Sequence, residues 1–432
     1  MKILVLSQYW APENGVPQRR WSWLTKLLVD AGHEVLVIAP PPHYLRKVDK
    51  KRWLRQLRGS AEIEAGTSGE RIVRSGFMPA GRALTSRIVN QAVVAASMVT
   101  TRLGRFPELR DYRPDVVIGT VPALPTAVIT KLVAARLRAP YIIDLRDAWP
   151  ELLYNSGDWN AGVGKRSFRE KIASLGPLQA LVKVTEISIW RTLRQADGII
   201  TTSQDLQLHL QEIFDSSKTS QRFATVRNVF PPKTEFFPVD KKARVSPELN
   251  VLYAGTIGRA QKLDNAIAAA KIAWERGLKV NLRFVGDGAS WLNLQQQISE
   301  LDFEVSIEHR LPADDLYQHY DWADTALVHL TDWAPLARTI PSKAYELMSL
   351  GIHICGVVEG EAARLIEELH AGHVVAPEDP AALADLWEQL VTDRSLLHVT
   401  SEGRKWVEHQ RNEIVPEAFL GIVEAVVVER PQ

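Results

Sequence analysis

The first 39 residues, MKILVLSQYWAPENGVPQRRWSWLTKLLVDAGHEVLVIA, carry the pattern that decides the fold. Residues 3–6 and 35–39 are short, wholly apolar runs, which are typical of strands buried on both faces of a sheet. Between them, apolar residues recur at helical spacing from Trp21 to Leu28, and Gly32 ends that helix. A strand–helix–strand unit of this kind predicts a parallel, doubly wound sheet.

The alternation of apolar runs and helical patterns continues along the first half of the chain. Residues 116–119, 141–145 and 198–202 predict further strands of the same sheet. Residues 231–248 then differ in character, because they carry several prolines and alternating charges without helical periodicity. We interpret this stretch as a linker between two domains.

A second α/β half follows the linker. Residues 342–350 predict a helix that ends at Gly351. The predicted strands of this half are residues 251–254, 282–285, 326–330 and 352–358. The chain is therefore expected to form two Rossmann-like, doubly wound parallel-sheet domains that face a central cleft, where ligands bind beyond the carboxyl ends of the strands. The expected division is residues 1–230, a linker at 231–248, a domain at 249–400, and a helical segment at 401–432 that packs back on the first domain.

Composition limits the classes of function. The chain has 432 residues, 46% of them hydrophobic, and a net charge of +1, so it has globular character without the basic field of a nucleic-acid binder. The single cysteine, Cys355, excludes a disulfide framework and is interpreted as a buried apolar residue. No apolar run reaches the roughly 18 to 20 residues of a membrane span, and the N-terminus lacks a signal-peptide pattern, so a cytoplasmic protein is expected.

The segment RTIPSKAYELMSLG (338–351) is the strongest functional signal. Pro341 and Ser342 are good helix openers, and Lys343 and Glu346 are three residues apart on one helix face. The free amide groups of a helix start, together with a lysine, suit a diphosphate, and Glu346 can accept hydrogen bonds from ribose hydroxyls. The alternative is an ordinary surface Lys–Glu pair.

Two loops after strands of the second half are further candidates. YAGTIGRAQKLD (253–264) has an open glycine turn, and its amide groups, Arg259 and Lys262 can hold a diphosphate without a metal. FVGDG (284–288) has Gly286 and Gly288 in a tight turn, which lets the backbone approach a base or ribose. The alternatives are a loop with solvated cations and a plain tight turn.

Two segments of the first half can also reach a ligand. Gly15 lies in the loop before the first helix, where it permits a close backbone approach, although the loop lacks the G-x-G-x-x-G fingerprint and an ordinary turn is the alternative. In YIIDLRDAWPE (141–151), charged residues follow an apolar strand, and Asp144, Arg146 and Asp147 are candidates for acceptor or sugar contacts. The alternative for this segment is a buried Asp–Arg structural pair.

Taken in order along the chain, these motifs resemble the family 4 retaining glycosyltransferases of the GT-B fold. The similarity runs from residue 1 to about residue 393, and it is closest to the branch that builds bacterial O-antigen, capsule and exopolysaccharide. The segments that carry the resemblance are YWAPENG (9–15), RDAWPE (146–151), ADGIITTS (196–203), YAGTIGRAQ (253–261), FVGDG (284–288) and IPSKAYELMSLG (340–351).

The resemblance implies a role for each matching residue. Arg259 and Lys343 would hold the donor diphosphate with help from Lys262, and Glu346 would bind the ribose. Gly15 would approach the donor phosphate or sugar, while Gly286 and Gly288 would lie near the nucleoside. It also implies transfer of a hexose or N-acetylhexosamine-type sugar from a nucleotide-diphosphate sugar to a glycan or lipid-linked acceptor, with retained configuration and no metal.

The sequence departs from the family pattern at three positions. Arg338 stands where the family often has a glutamate that contacts the transferred sugar, and Gln261 stands where a lysine is common, with Lys262 beside it. Arg146 stands where many members have a histidine. Arg338 is therefore a candidate sugar contact, Gln261 is a candidate donor contact, and the contacts to the donor sugar stay open.

Two questions are left with alternatives. The basic stretch 46–58, with Trp53 among its apolar residues, is either a peripheral membrane contact or a solvated helix. The competing functions are a nucleotide-sugar epimerase on the same fold, which would need clear acid and base groups in the cleft, and a non-catalytic nucleotide-sugar binder. A dehydrogenase is disfavoured because the first loop lacks the glycine fingerprint.

Overall fold

The structure is a computed structural model that describes residues 1–13, 15–42, 53, 62–79, 84–121, 123–154, 177–214, 220–231 and 247–428. The chain divides into two compact units. The first unit comprises Met1–Pro150, Pro177–Phe230 and Glu413–Gln432, and the second comprises Glu151–Gly176 and Pro231–Asn412. Most of the predicted linker, and the basic stretch 46–58 apart from Trp53, lie outside the described residues.

The first unit contains an eight-stranded sheet with the order β3-β4-β2-β1-β5-β6-β7-β8. Its strands are β1 (Lys2–Leu6), β2 (Glu34–Ala39), β3 (Ile63–Ala65), β4 (Arg71–Arg74), β5 (Val116–Val121), β6 (Tyr141–Leu145), β7 (Gly198–Thr201) and β8 (Arg222–Thr225). All neighbours pair in parallel except β3, which runs antiparallel to β4 at the edge. The central strands β5, β6 and β7 are buried along their whole length, as expected when helices cover both faces.

Helices pack on this sheet around an apolar core. They are α1 (Val16–Asp30), α2 (Leu84–Thr100), α3 (Pro125–Leu137), α4 (Pro177–Arg194) and α5 (Gln204–Phe214). Trp21, Leu24 and Leu28 form the buried face of α1, which confirms the helical period in the sequence. Trp53 also packs against this core, and its Nε1 donates to the Phe77 carbonyl oxygen at 2.7 Å. Trp53 therefore serves packing in the first unit.

The second unit has a six-stranded sheet, all parallel, in the order β11-β10-β9-β12-β13-β14. Its strands are β9 (Glu248–Ala254), β10 (Lys279–Val285), β11 (Val305–Glu308), β12 (Thr325–His329), β13 (His353–Val357) and β14 (Gly372–Val375). This is the doubly wound Rossmann order, in which successive strands are added first on one side of β9 and then, from β12 onward, on the other side. The four predicted strands of this half are β9, β10, β12 and β13, and the two edge strands are additional.

Helices cover both faces of the second sheet. They are α6 (Asp264–Glu275), α7 (Trp291–Ser299), α8 (Ala313–Trp322), α9 (Ser342–Leu350), α10 (Gly360–Glu368), α11 (Pro380–Thr392) and α12 (Glu402–His409). The core beneath them includes the predicted buried cysteine, Cys355, whose thiol pKa burial raises to about 12. Among the described residues, none of the helices combines the length and apolarity that a bilayer crossing requires.

The end of the chain is divided between the two units. Helix α12 packs on α9, with Trp406 stacked against Tyr345, and belongs to the second unit. A π-helical turn at Gln410–Ile414 follows, and then α13 (Val415–Val428) packs on α1 and on the first sheet. The segment expected as one helical region at 401–432 is therefore two helices with different partners.

Candidate functional site

Helix α9 begins at Ser342, directly after Pro341, whose extended backbone sets the entry of the chain. Gly351 ends the helix in a left-handed conformation with φ +68°, as glycine does at many helix ends. One face of α9, which includes Ala344, Leu347 and Met348, is buried. Lys343 and Glu346 are therefore held together on the opposite face, as their spacing predicts.

Lys343 and Glu346 form an ion pair with an N–O distance of 3.0 Å. Their side chains are only 22% and 25% exposed, so neither extends into bulk water. The hydroxyl of Tyr320 in α8 joins the pair: it donates to Glu346 Oε1 at 2.7 Å and accepts from Lys343 Nζ at 2.8 Å. The start of α9 thus presents a cation and a carboxylate that a third, buried group holds in place.

The loop after β9 forms a short 3-10 turn at Arg259–Gln261, and Lys262 follows in a left-handed conformation with φ +38°. This backbone turns the Lys262 ammonium toward Glu378, with which it forms an ion pair. Thr331 also donates to Glu378 Oε1 at 2.7 Å. The hydrogen bonds from Lys262 and Thr331 lower the pKa of Glu378 below its usual range.

The two candidate glycines after β10 have a clear role in the fold. A Cβ atom at Gly286 would lie 1.8 Å from the Gly255 carbonyl oxygen, and one at Gly288 would lie 2.0 Å from the Ile257 carbonyl oxygen. Backbone hydrogen bonds join the same loops, since Ile257 N donates to the Asp287 carbonyl oxygen at 3.0 Å. Glycine is therefore required because two loop backbones are in direct contact, and a contact with a nucleoside stays a prediction.

Side chains beside this turn form a second polar group. His309 stacks on Trp291 with ring centroids 4.2 Å apart, and its Nδ1 lies 2.6 Å from Asp287 Oδ1. The backbone amide of Arg310 donates to the other oxygen of Asp287. Partial burial acts to raise the pKa of Asp287, but the hydrogen bonds from His309 and Arg310 outweigh it and lower that pKa.

Arg338 lies at the end of a 3-10 turn at Ala334–Arg338, shortly before α9. Its guanidinium forms an ion pair with Glu151, and both side chains are largely buried. A carboxylate therefore accompanies the arginine that stands in place of the expected glutamate. Glu151 was not among the predicted site residues, because nothing in the sequence links it to a position so far along the chain.

Asp144 of the first unit is fully buried and serves the fold. It forms an ion pair with Arg20 at 2.8 Å, and the indole Nε1 of Trp21 donates to it at 2.9 Å. Arg20 in turn donates to the Val226 carbonyl oxygen at 2.7 Å and to the side chain of Asn228 at 3.1 Å. The structure therefore corrects the expected ligand contact for Asp144, since this residue forms the buried Asp–Arg pair that was the alternative.

Arg146 and Asp147 follow β6 and differ from Asp144 in their surroundings. Arg146 is buried, its Nε and Nη1 have no hydrogen-bond partner among the described residues, and burial lowers its pKa. Burial raises the pKa of Asp147, although the neighbouring charge of Arg146 opposes that shift.

In the loop before α1, the backbone amide of Gly15 donates to Gln18 Oε1 at 3.1 Å.

Two protein-family models match this chain. The model described as "Glycosyl transferase 4-like domain" matches residues 15–223, and the model described as "Glycosyl transferases group 1" matches residues 238–406. The two matches follow each other and together span most of the sequence. The chain belongs to the GT-B glycosyltransferases.

Individual proteins agree with this assignment. The probable glycosyltransferase WbjE of Pseudomonas aeruginosa is 27% identical over 289 residues, which are 65% of this chain and 67% of WbjE. The putative colanic acid biosynthesis glycosyltransferase WcaL of Escherichia coli (strain K12) is 28% identical over 188 residues, 42% of this chain and 46% of WcaL. The crystal structure of Anabaena Alr3699/HepE with UDP-glucose shares the fold, with a TM-score of 0.59 and 15% identity over 99% of this chain and 100% of HepE.

The second unit of this glycosyltransferase brings several of the predicted residues into defined pairs. Lys343 lies against Glu346, while Lys262 and Arg338 each have a carboxylate partner that the sequence did not reveal. Tyr320 was also missed. A tyrosine in an amphipathic helix is usually a core residue, and only the structure gives its hydroxyl a polar role.

Proposed function

We propose that this glycosyltransferase moves a hexose or N-acetylhexosamine-type sugar from a nucleotide-diphosphate sugar to a glycan or lipid-linked acceptor. Configuration is retained, and no metal is required. The observation that carries the proposal is the start of α9, where Lys343 and Glu346 lie together on the partly exposed side of the helix. A cation and free amide groups at a helix N-terminus favour a diphosphate, and a neighbouring carboxylate favours a diol.

The chemistry follows from the charge on the leaving group. Breaking the sugar–phosphate bond leaves negative charge on the diphosphate, and fixed cations and amide groups beside that charge lower the barrier. In this proposal Lys343 and Arg259 supply the cations and Glu346 accepts hydrogen bonds from the ribose hydroxyls. Because positive side chains neutralise the leaving group, a divalent metal is not needed for that role.

The donor and acceptor classes are supported by the relatives. HepE was crystallised with UDP-glucose, and WcaL is named for colanic acid biosynthesis, which is consistent with a sugar nucleotide and a cell-envelope glycan here. Arg338 with Glu151, and Arg146 with Asp147, are the proposed contacts to the transferred sugar or the acceptor. These residues offer both guanidinium and carboxyl groups, which suit sugar hydroxyls.

A binding and turnover experiment tests the proposal. The purified chain is mixed with UDP, GDP, dTDP and their sugar derivatives, first in thermal-shift assays and then in calorimetry, and turnover is followed with and without EDTA. A ligand that binds only the folded state raises its melting temperature by mass action, so one nucleotide class should stand out. If the chain binds none of these nucleotides, the proposed nucleotide-sugar donor is refuted. Loss of turnover in EDTA would refute metal independence.

A further inference from the structure

Tyr320 occupies an unusual position between two charged groups. Its ring is 1% exposed in the core of the second unit, yet its hydroxyl contacts both members of the Lys343–Glu346 pair. The Lys343 ammonium also lies 5.5 Å from the centre of the Tyr320 ring. A phenylalanine would fill the same apolar space, so packing alone does not explain the hydroxyl.

The hydroxyl has a donor and an acceptor role, and both are used. It donates its proton to Glu346 Oε1 and accepts from Lys343 Nζ, while Glu346 Oε2 receives the direct ion pair from Lys343 at 3.0 Å. The three groups form a closed ring of hydrogen bonds. Because the tyrosine is anchored in α8 and cannot move far, it limits where the two longer side chains of α9 can go.

We propose that Tyr320 is a positioning residue for donor binding, an inference that rests on the function proposed above. When the diphosphate draws the Lys343 ammonium toward itself, Glu346 loses part of its ion pair. The Tyr320 hydroxyl then keeps Glu346 in the orientation that the ribose hydroxyls require. It also supports the ammonium of Lys343 near the helix start before the donor arrives, so less ordering is needed on binding.

Without the hydroxyl, the Lys343–Glu346 pair loses the group that contacts both of its members. Glu346 Oε1 loses its donor and can turn toward Lys343, which strengthens the internal ion pair that competes with the diphosphate. Tyr320→Phe is therefore expected to weaken nucleotide diphosphate binding about tenfold, the size typical of a hydrogen bond to a charged group. The melting temperature should stay close to that of the wild type.

The test uses calorimetric titration with whichever of UDP, GDP and dTDP the wild type binds. Tyr320→Phe, Glu346→Gln and the double variant form a thermodynamic cycle. Positioning through Glu346 predicts that Tyr320→Phe costs about tenfold alone but less than about threefold in the Glu346→Gln background. A purely structural role predicts the same factor in both backgrounds, and that result would overturn the inference.

A matched control and a second substitution complete the design. Tyr112→Phe removes another buried hydroxyl, one that donates to the Ile3 carbonyl oxygen at 3.1 Å in the first unit, and should leave the nucleotide Kd unchanged. If Tyr320→Phe does not fold, p-aminophenylalanine at position 320 provides a separate test. Its amine keeps the hydrogen bond to Glu346, so the nucleotide Kd should stay within about threefold of the wild type, and a rise of about tenfold would overturn the inference.

The outcomes for the two proposals are distinct. If the wild type binds none of the three nucleotides, the proposed function fails and the cycle is not needed to decide it. If the wild type binds one of them and Tyr320→Phe binds it equally well, only the role of Tyr320 is refuted.

Discussion

Two of the lysine–glutamate pairs in the second unit, Lys343–Glu346 and Lys262–Glu378, have the same chemistry but are built differently. Lys343 and Glu346 lie one turn apart on α9, are 22% and 25% exposed, and share a buried hydroxyl. Lys262 and Glu378 come from separate loops and are 38% and 39% exposed, and Glu378 also accepts from the hydroxyl of Thr331. Ion pairs gain less as their exposure to water increases, so the first pair should respond more strongly to substitution.

Backbone geometry explains why only the Lys343–Glu346 pair can be predicted from the sequence. Helical periodicity places residues three apart on one face, so the Lys343–Glu346 contact follows from the spacing alone. The second pair depends on two left-handed residues, Lys262 with φ +38° and Glu378 with φ +61°. Residues other than glycine seldom adopt this conformation, and no local pattern predicts that these two will face each other. A pair of that kind is visible only in three dimensions.

The largest effect on turnover is expected for substitution of Lys343. If the donor diphosphate binds at the start of α9, Lys343→Ala should lower turnover about 100- to 1,000-fold, as loss of a fixed charge beside a leaving group typically does. The melting temperature should change little, because the side chain is partly exposed. Steady-state rates and thermal denaturation measure the two effects.

A helical lysine of the first unit, also paired with a carboxylate, serves as the control for that variant. Lys26 pairs with Asp30 on α1 at 3.0 Å, and both side chains are well exposed. Lys26→Ala should retain wild-type turnover. Full activity in a folded Lys343→Ala protein would remove Lys343 from the mechanism.

A buried histidine beside the second pair gives a pH test. His329 lies 3.2 Å from Asn265 and interacts electrostatically with both Lys262 and Glu378, and burial lowers its pKa to about 4 from an ordinary value of 6.5. The unfolded chain takes up a proton below pH 6.5 and the folded protein resists it, so the free energy of unfolding falls as the pH decreases from 6.5 toward 4. At about pH 5.5 the neutral, buried state of this histidine should lower the free energy of unfolding by roughly 1 kcal/mol.

Denaturant titrations at about pH 8 and about pH 5.5 measure that cost. His329→Gln should reduce the difference in unfolding free energy between the two pH values by roughly 1 kcal/mol. The exposed His398 is a suitable control, and His398→Gln should keep the wild-type difference. An unchanged difference in His329→Gln would show that the burial of this imidazole does not govern its protonation.

The smallest changes in nucleotide Kd are expected for the Lys262–Glu378 pair, and the direction of each change distinguishes two roles for the pair. If Lys262 assists the diphosphate, Lys262→Ala should raise the nucleotide Kd and Glu378→Gln should lower it, because the second change frees the ammonium. Each change should be less than about fivefold, given the small free energy of exposed ion pairs. Calorimetric titration of both variants distinguishes the two roles. If the Lys262–Glu378 pair only fixes the loop, both variants should shift the nucleotide Kd in the same direction.

The sequence predicted the central parts of both sheets better than their edges. Fully apolar runs such as residues 3–6 and 35–39 match β1 and β2 to within one residue, because helices on both faces favour apolar side chains there. Edge strands such as β3 and β14 are partly exposed and short, so their residues lack that signature. The helix period of α1 and the bounds of α9 could be predicted equally well, since both helices have one buried face and clear ends.

The candidate site was predictable only where the signal was local. Lys343 and Glu346 follow from one helix, whereas Tyr320, Glu151 and Glu378 reach their partners from distant segments. Asp144 shows the opposite error, because a carboxylate after a strand can point into the core when an arginine meets it there. Which of these occurs depends on tertiary packing, and a single sequence does not report that.

Helix α13 has a consequence for the order of events during synthesis. The helix closes over β5 to β8 and sets Phe419 against Trp21, so the first unit includes the last helix of the chain. The second unit ends at Asn412 and has all of its residues earlier. As the polypeptide leaves the ribosome, the second unit can therefore complete its core while β5 to β8 of the first unit still lack the cover that α13 provides.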